Sequence, residues 1–130
     1  MRQLVYISTA EPNLNQVDIA DILDASARKN PERGITGFLI FNGRNFLQLL
    51  EGPKNSLDAL MADIQRDPRH SGVIRLEDHP VTERVCEKWT MKQLILADSI
   101  DSRETSLDQA LPEALAAQVR RTILNFAALN

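Results

Sequence analysis

Asn42-Gly43 stands between two apolar runs, Ile35 to Phe41 and Phe46 to Leu50, and no other feature restricts the folding of this chain as much. An Asn-Gly pair supplies the positive φ values that a tight hairpin turn requires, so the two runs are expected to be antiparallel neighbours in a sheet. The flanking segments then fall into order. Leu4-Val5-Tyr6-Ile7-Ser8 is a β-prone run closed by Glu11-Pro12-Asn13. A helix follows with Asn15 as its N-cap, Asp18 at its third position, and Ile19, Ile22 and Leu23 on one stripe. By i+3 and i+4 spacing Ser26 and Asn30 prolong that stripe, so the buried face turns polar before Pro31, where the helix is expected to end. Gly52-Pro53 opens a second helix whose Leu57, Leu60, Met61 and Ile64 form a face, and Asp67-Pro68 closes it. Val73 to Leu76 reads as a fourth strand and Met91 to Leu96 as a fifth.

The order β-α-β-β-α-β with an added fifth strand predicts an α+β, ferredoxin-like fold, a mixed sheet with two helices on one face. Residues 1–97 are expected to form that domain, and residues 98–130 a C-terminal linker and helical extension packing on the sheet. Asp98 to Glu104 is polar and reads as the linker. Leu111, Leu115, Val119, Ile123 and Phe126 recur at helical spacing, with Pro112 near the helix start. Such a face must dock, and the sheet face away from the first two helices is the expected place.

With 130 residues and 43% hydrophobic composition the chain can build one core, and a net charge of −3 provides no field that would attract nucleic acid or an anionic membrane. One cysteine, Cys86, excludes an intrachain disulfide, and only His70 and His79 could join it as soft ligands, which argues against a metal site. No stretch approaches the roughly 20 apolar residues that span a bilayer. A cytoplasmic protein without metal, membrane or nucleic-acid partner is expected. GxGxxG, P-loop, HExxH and G-x-S-x-G patterns are all missing, and no catalytic constellation replaces them, so an enzyme is not expected.

Gln48 is the most informative polar residue because it interrupts Phe46-Leu47-Gln48-Leu49-Leu50, where the pattern otherwise demands burial. A buried amide left unpaired costs about 1–3 kcal/mol per group, so Gln48 needs polar company. Neighbouring backbone at a sheet edge would meet that need as well as a ligand would. Tyr6, in the first strand, could be an ordinary core tyrosine, yet in this topology the first and third strands are the central pair. Tyr6 and Gln48 could then face the helices side by side, with Ser26 and Asn30 converging on them. Asp67-Pro68-Arg69-His70 fits a solvated turn, and Trp89 and Met91, alternating on the fifth strand, fit a core. Cys86 has no neighbouring histidine to mark it as a nucleophile. From the residues alone the reading stops at a ferredoxin-like domain with a polar cluster between its helices.

The spacing of Tyr6, Asn30, Ile35-Thr36-Gly37, Phe46-Leu47-Gln48-Leu49-Leu50-Glu51-Gly52-Pro53, Asp67-Pro68-Arg69-His70 and Trp89-Thr90-Met91 closely resembles the BLUF family, sensors of blue light using flavin. The match runs in order from about residue 2 to residue 96. The resemblance implies a non-covalent oxidised flavin between the two helices, usually FAD. By it, Tyr6 matches the tyrosine that donates an electron and then a proton, and Gln48 the glutamine that changes orientation or tautomer on illumination. Asn30 matches the asparagine on the pyrimidine edge of the ring, and Ser26 a position on the same helix near Gln48. Ile64 would pack on the ring, with Lys29, Asp67, Arg69 and His70 toward the ribityl chain and phosphates. Trp89 and Met91 match the pair whose exchange of position passes the signal onward.

Two residues depart from the family pattern. Cys86 stands where a phenylalanine often follows Arg84, and Asp63 where some members carry a basic residue facing the cofactor tail, which leaves FMN and riboflavin open beside FAD. The output is expected to pass to an effector protein in trans through the C-terminal helix, and a homo-oligomer is expected. Rival readings are a metabolite sensor using the same cleft, an acyl-phosphatase-type enzyme and an RNA-recognition fold. Ile7-Ser8-Thr9-Ala10 lacks the phosphate-cradling arginine the second needs, and the third needs exposed aromatics on a basic face.

Overall fold

The central hairpin forms: β2 (Thr36–Phe41) and β3 (Asn45–Gly52) pair antiparallel, with Phe41 opposite Phe46. Asn42 organises the connection, its Oδ1 accepting from the backbone N–H of Arg44 at 3.0 Å and Asn45 at 2.7 Å, while Gly43 takes a φ of 95°. In this computed structural model, which describes residues 1–97 and 99–128, β1 (Arg2–Ala10) lies beside β3 and β4 (His70–Pro80) beside β1. Each of these neighbours is antiparallel, and β5 (Lys92–Leu94) adds in parallel to β2, giving the order β4-β1-β3-β2-β5. This is the expected α+β, ferredoxin-like sheet with a fifth strand.

Helix α1 (Gln16–Arg33) starts with a reciprocal capping box, Asn15 Oδ1 accepting from Asp18 N–H and Asp18 Oδ2 from Asn15 N–H. It does not stop at Pro31. Proline withholds one hydrogen bond from the preceding turn, but the helix continues to Arg33 and ends where Gly34 adopts the left-handed conformation at φ 70°. Helix α2 (Lys54–Arg66) buries Leu57, Met61 and Ile64. Both helices cover one sheet face, over a core that includes Leu4, Tyr6, Ile19, Ile22, Leu39, Phe46 and Met91.

Past β5 the structure departs from the expected linker and single helix. Residues 100–110 form α3 (Ile100–Ala110), whereas Asp98 lies outside the described residues. Its mostly polar sequence hid it, because Leu107 is the residue this helix is seen to bury. Leu111 and Leu115 precede the last helix, α4 (Ala117–Ala128). Pro112 explains the break: it bars helical backbone at Leu111, which sits extended at ψ 147° and caps α3. Arg120 braces the corner, donating to the carbonyls of Asp108 at 3.0 Å and Pro112 at 2.5 Å. Leu107, Leu111, Leu115, Val119, Ile123 and Phe126 pack with Val5, Phe38, Ile40, Leu47 and Leu49 on the sheet face opposite α1 and α2.

The strand limits also differ from expectation. β4 extends well beyond Val73–Leu76, because as an edge strand paired along β1 it leaves even Ile74 and Leu76 exposed, and the hydrophobic pattern under-reports it. β5 is shorter and begins after Trp89 and Met91, so neither lies on the strand. The turn is tight there, since Gly37 N–H donates to the Trp89 carbonyl at 2.8 Å. Gly37 is required for a second reason: a Cβ on it would lie 1.8 Å from the Leu49 carbonyl oxygen.

Candidate functional site

Tyr6 and Gln48 stand directly opposite each other in the β1–β3 register, so both side chains leave the sheet on the face that α1 and α2 cover. Both are buried, Tyr6 fully and Gln48 to 5% exposure. The Tyr6 hydroxyl donates a short hydrogen bond to Gln48 Oε1, and Gln48 Nε2 donates to Met91 Sδ at 3.0 Å. A thioether is a weak acceptor, so one end of the amide is firmly held and the other is not. Burial pushes the Tyr6 phenol well above its ordinary pKa, and the Asp67 carboxylate adds to the effect, so the group remains a neutral donor.

Above this pair α1 and α2 enclose a cleft with about 650 Å³ of free space, part of it open to solvent. Tyr6, Ser26, Lys29, Asn30, Gln48, Ile64, Asp67, Arg69 and His70 all line it. Ile22, Leu39 and Leu60 supply apolar wall, and Arg33 and Asp63 reach the cleft from opposite helices. Asn30 Nδ2 donates to the Thr90 carbonyl at 2.9 Å, which ties α1 to the segment before β5. Asp67 caps the turn after α2 and grips Arg69 through both carboxylate oxygens, and the Arg69 bonds hold its carboxyl below the usual range. His70 Nδ1 lies 2.8 Å from Ser8 Oγ, and burial lowers its pKa below 6.5, so at neutral pH the ring is uncharged.

Trp89 and Met91 part company. Met91 packs with the cleft-side core and touches Gln48, whereas Trp89 packs on the opposite side of the sheet, 6.0 Å edge-on from Phe38, with Lys92 Nζ 4.6 Å from its ring centre. Trp89 therefore adjoins the C-terminal helices and does not line the cleft.

Sequence reasoning passed over Glu51 and Arg84. Glu51 is a fully buried carboxylate that accepts from Gln3 Nε2 at 3.1 Å and from the backbone N–H groups of Val85 and Cys86 at 3.0 and 2.8 Å. Arg84 donates to Thr36 Oγ1 and the Glu51 carbonyl, both at 2.9 Å, and to the Gly34 carbonyl at 2.5 Å. Together they pin the chain that leads to Trp89. Glu51 carried the same signal as Gln48, a polar group in an apolar run. Arg84 carried none, because two of its three partners are backbone carbonyls. Cys86 is buried, and burial, with Glu51 beside it, raises its thiol pKa far enough to keep it protonated. Among the described residues no cluster of His, Cys, Asp and Glu could hold a metal ion, and no helix is long and apolar enough to cross a membrane.

The site is thus a two-helix cleft over a ferredoxin-like sheet, floored by a buried tyrosine–glutamine pair. The chain belongs to the BLUF family, sensors of blue-light using FAD, whose model matches residues 1–92. It is a blue-light photoreceptor domain of that flavin-binding family, and the domain itself is not an enzyme. Similar proteins include the photoactivated adenylate cyclase subunit alpha of Euglena gracilis, 37% identical over 71% of this chain and 9% of that protein. The beta subunit of Euglena longa is 36% identical over 68% of this chain and 10% of its own length. The chain thus spans about a tenth of these relatives. Among solved structures, BlrP1 of Klebsiella pneumoniae, in a manganese and cyclic-diGMP complex, aligns with a TM-score of 0.84 at 30% identity, covering 98% of this chain and 32% of that one. The dark-state structure of the BLUF protein BlrB aligns with a TM-score of 0.74 at 33% identity over 96% of both chains.

Proposed function

We propose that the cleft holds a flavin ring against Gln48 and Asn30, and that the chain reports blue light by turning over the Gln48 amide. The carrying observation is the Tyr6–Gln48–Met91 chain of hydrogen bonds at the cleft floor. The residues suit a flavin. Ile22, Leu39, Leu60 and Ile64 offer apolar wall to a flat ring, the Asn30 and Gln48 amides face its polar edge, and Arg33 Nη1 is a buried donor with no partner among the described residues. When bound, the flavin supplies light absorption and accepts an electron.

Tyr6 is the electron donor in this reading, its proton passes along the existing bond to Gln48 Oε1, and both return to Tyr6 as the phenol is restored. The amide then has two arrangements to choose between. With Oε1 toward Tyr6 the phenol donates and Nε2 rests on sulfur; turned over, Nε2 donates to the phenol oxygen and Oε1 is free for another donor. Met91 loses its donor in that turn. Because Asn30 also holds the Thr90 carbonyl, a change at either amide pulls on residues 89–91 and, through Trp89, on α3 and α4. FAD is the expected cofactor, and the output is contact with an effector protein or a second copy of the chain, with the C-terminal helices as the relay.

Two substitutions test the assignment in purified, flavin-loaded protein. Gln48→Leu and Tyr6→Phe should each keep flavin bound and each abolish the normal light-induced absorption change. A full wild-type response in either variant would remove that residue from the mechanism.

A further inference from the structure

We infer that Arg33 is the residue that recognises the phosphate of the flavin side chain, and that Asp63 sets how readily it does so. The inference rests on the flavin reading above and names the chemical class of tail the cleft selects. Arg33, in the last turn of α1, and Asp63, on α2, both line the cleft. Arg33 Nη2 reaches over to Asp63 Oδ2 at 3.0 Å, joining the two helices, while its Nη1 is buried with no hydrogen-bond partner among the described residues.

The other charges at the cleft explain why Arg33 is the group available. Arg69 is held by Asp67 through Nε and Nη2, and although its Nη1 takes no part in that pair, among the described residues Asp67 has no second cationic partner to turn to, whereas Asp63 has one. Lys29 also lines the cleft, but it is exposed and flexible, a point charge without directed geometry. Arg33 combines full charge with a planar fork, one arm of it already unsatisfied. Asp63 does not depend on it, because its Oδ1 accepts separately from Arg66 at 2.9 Å. A phosphate can therefore compete with Asp63 for the Arg33 fork at Nη2, leaving Asp63 with Arg66. Repulsion between phosphate and the Asp63 carboxylate opposes this. The cleft should thus prefer a phosphorylated flavin to riboflavin, by less than it would without Asp63.

The test is a fluorescence titration of flavin-free full chain with riboflavin, FMN and FAD, at low and at high salt. Riboflavin shares the ring but lacks phosphate, so it reports the ring site in each variant. Wild type should bind FMN and FAD more tightly than riboflavin, with a preference that shrinks as salt rises. Arg33→Gln should weaken the phosphorylated flavins by roughly tenfold, the loss of a charge-assisted bond, and leave riboflavin little changed. Asp63→Asn should tighten FMN and FAD and again spare riboflavin. The inference is overturned if Arg33→Gln leaves the ratio of FMN to riboflavin affinity unchanged, or weakens all three ligands equally as a merely structural latch would. Failure of wild type to bind any of the three would overturn the flavin reading itself, and this inference with it.

Discussion

Asn30 of α1 donates through Nδ2 to the backbone carbonyl of Thr90, 2.9 Å away, and so couples the wall of the cleft to the two residues that flank Thr90 on opposite sides of the sheet. Asn30 is itself buried. Its loss would orphan the Thr90 carbonyl as well as remove the amide. Asn30→Ala should lower stability by about 1–3 kcal/mol, the penalty for a buried polar group losing its partner. Urea unfolding at neutral pH checks this, and an unchanged midpoint would show that Thr90 finds another donor.

Gly37 should tolerate substitution far less. Its missing side chain is what lets β2 approach Leu49, since a Cβ would meet that carbonyl oxygen at 1.8 Å. Gly37→Ala is expected to cost about 4 kcal/mol or more, at the extreme of single-residue effects, or to prevent folding. Recovery of a soluble variant with near-normal unfolding would mean that the strands can separate without consequence.

His70 gives stability a specific pH dependence. Burial lowers its folded pKa below the ordinary 6.5, so the unfolded chain binds the proton more readily and stability is lost as pH falls through 6.5. Asp67 acts in the same direction at lower pH, because its folded pKa lies below 3.8 and its contribution disappears only as the carboxylate protonates. The thermal midpoint should therefore fall between about pH 7.5 and 5.5 in wild type, and by less in His70→Gln. An equal fall in both would assign the dependence to other groups.

Much of this arrangement was legible in advance because it follows from alternation and spacing. Once the hairpin around Asn42-Gly43 paired β2 and β3, the polar breaks at Tyr6 and Gln48 could meet on the central strands with the α1 stripe through Ser26 and Asn30 above them, although the β1–β3 register that sets them opposite each other is not written in either strand alone. The C-terminal region was less legible. Pro112 acts on Leu111 before it in the chain, so Leu111 and Leu115 join the core without belonging to the helix of Val119, Ile123 and Phe126. The split between Met91 and Trp89 depends on a turn held by Gly37, Asn30 and Glu51 from three different elements. No local pattern records such a convergence.

The C-terminal helices offer a check on the proposed relay. Trp89 touches the same core as α3 and α4, so hydrogen exchange within residues 89–126 should differ between dark and illuminated protein. Trp89→Ala should keep the flavin response and reduce that difference. Identical exchange in both states would send the signal out by another route.

The most direct measurement is the absorption spectrum of the purified chain before, during and after blue light. The account predicts bound oxidised flavin whose absorption moves to longer wavelength on illumination and returns in the dark, as the Gln48 amide gains and then gives up its second arrangement. A chain that binds flavin but shows no reversible shift, or that takes up neither FAD, FMN nor riboflavin, would contradict it.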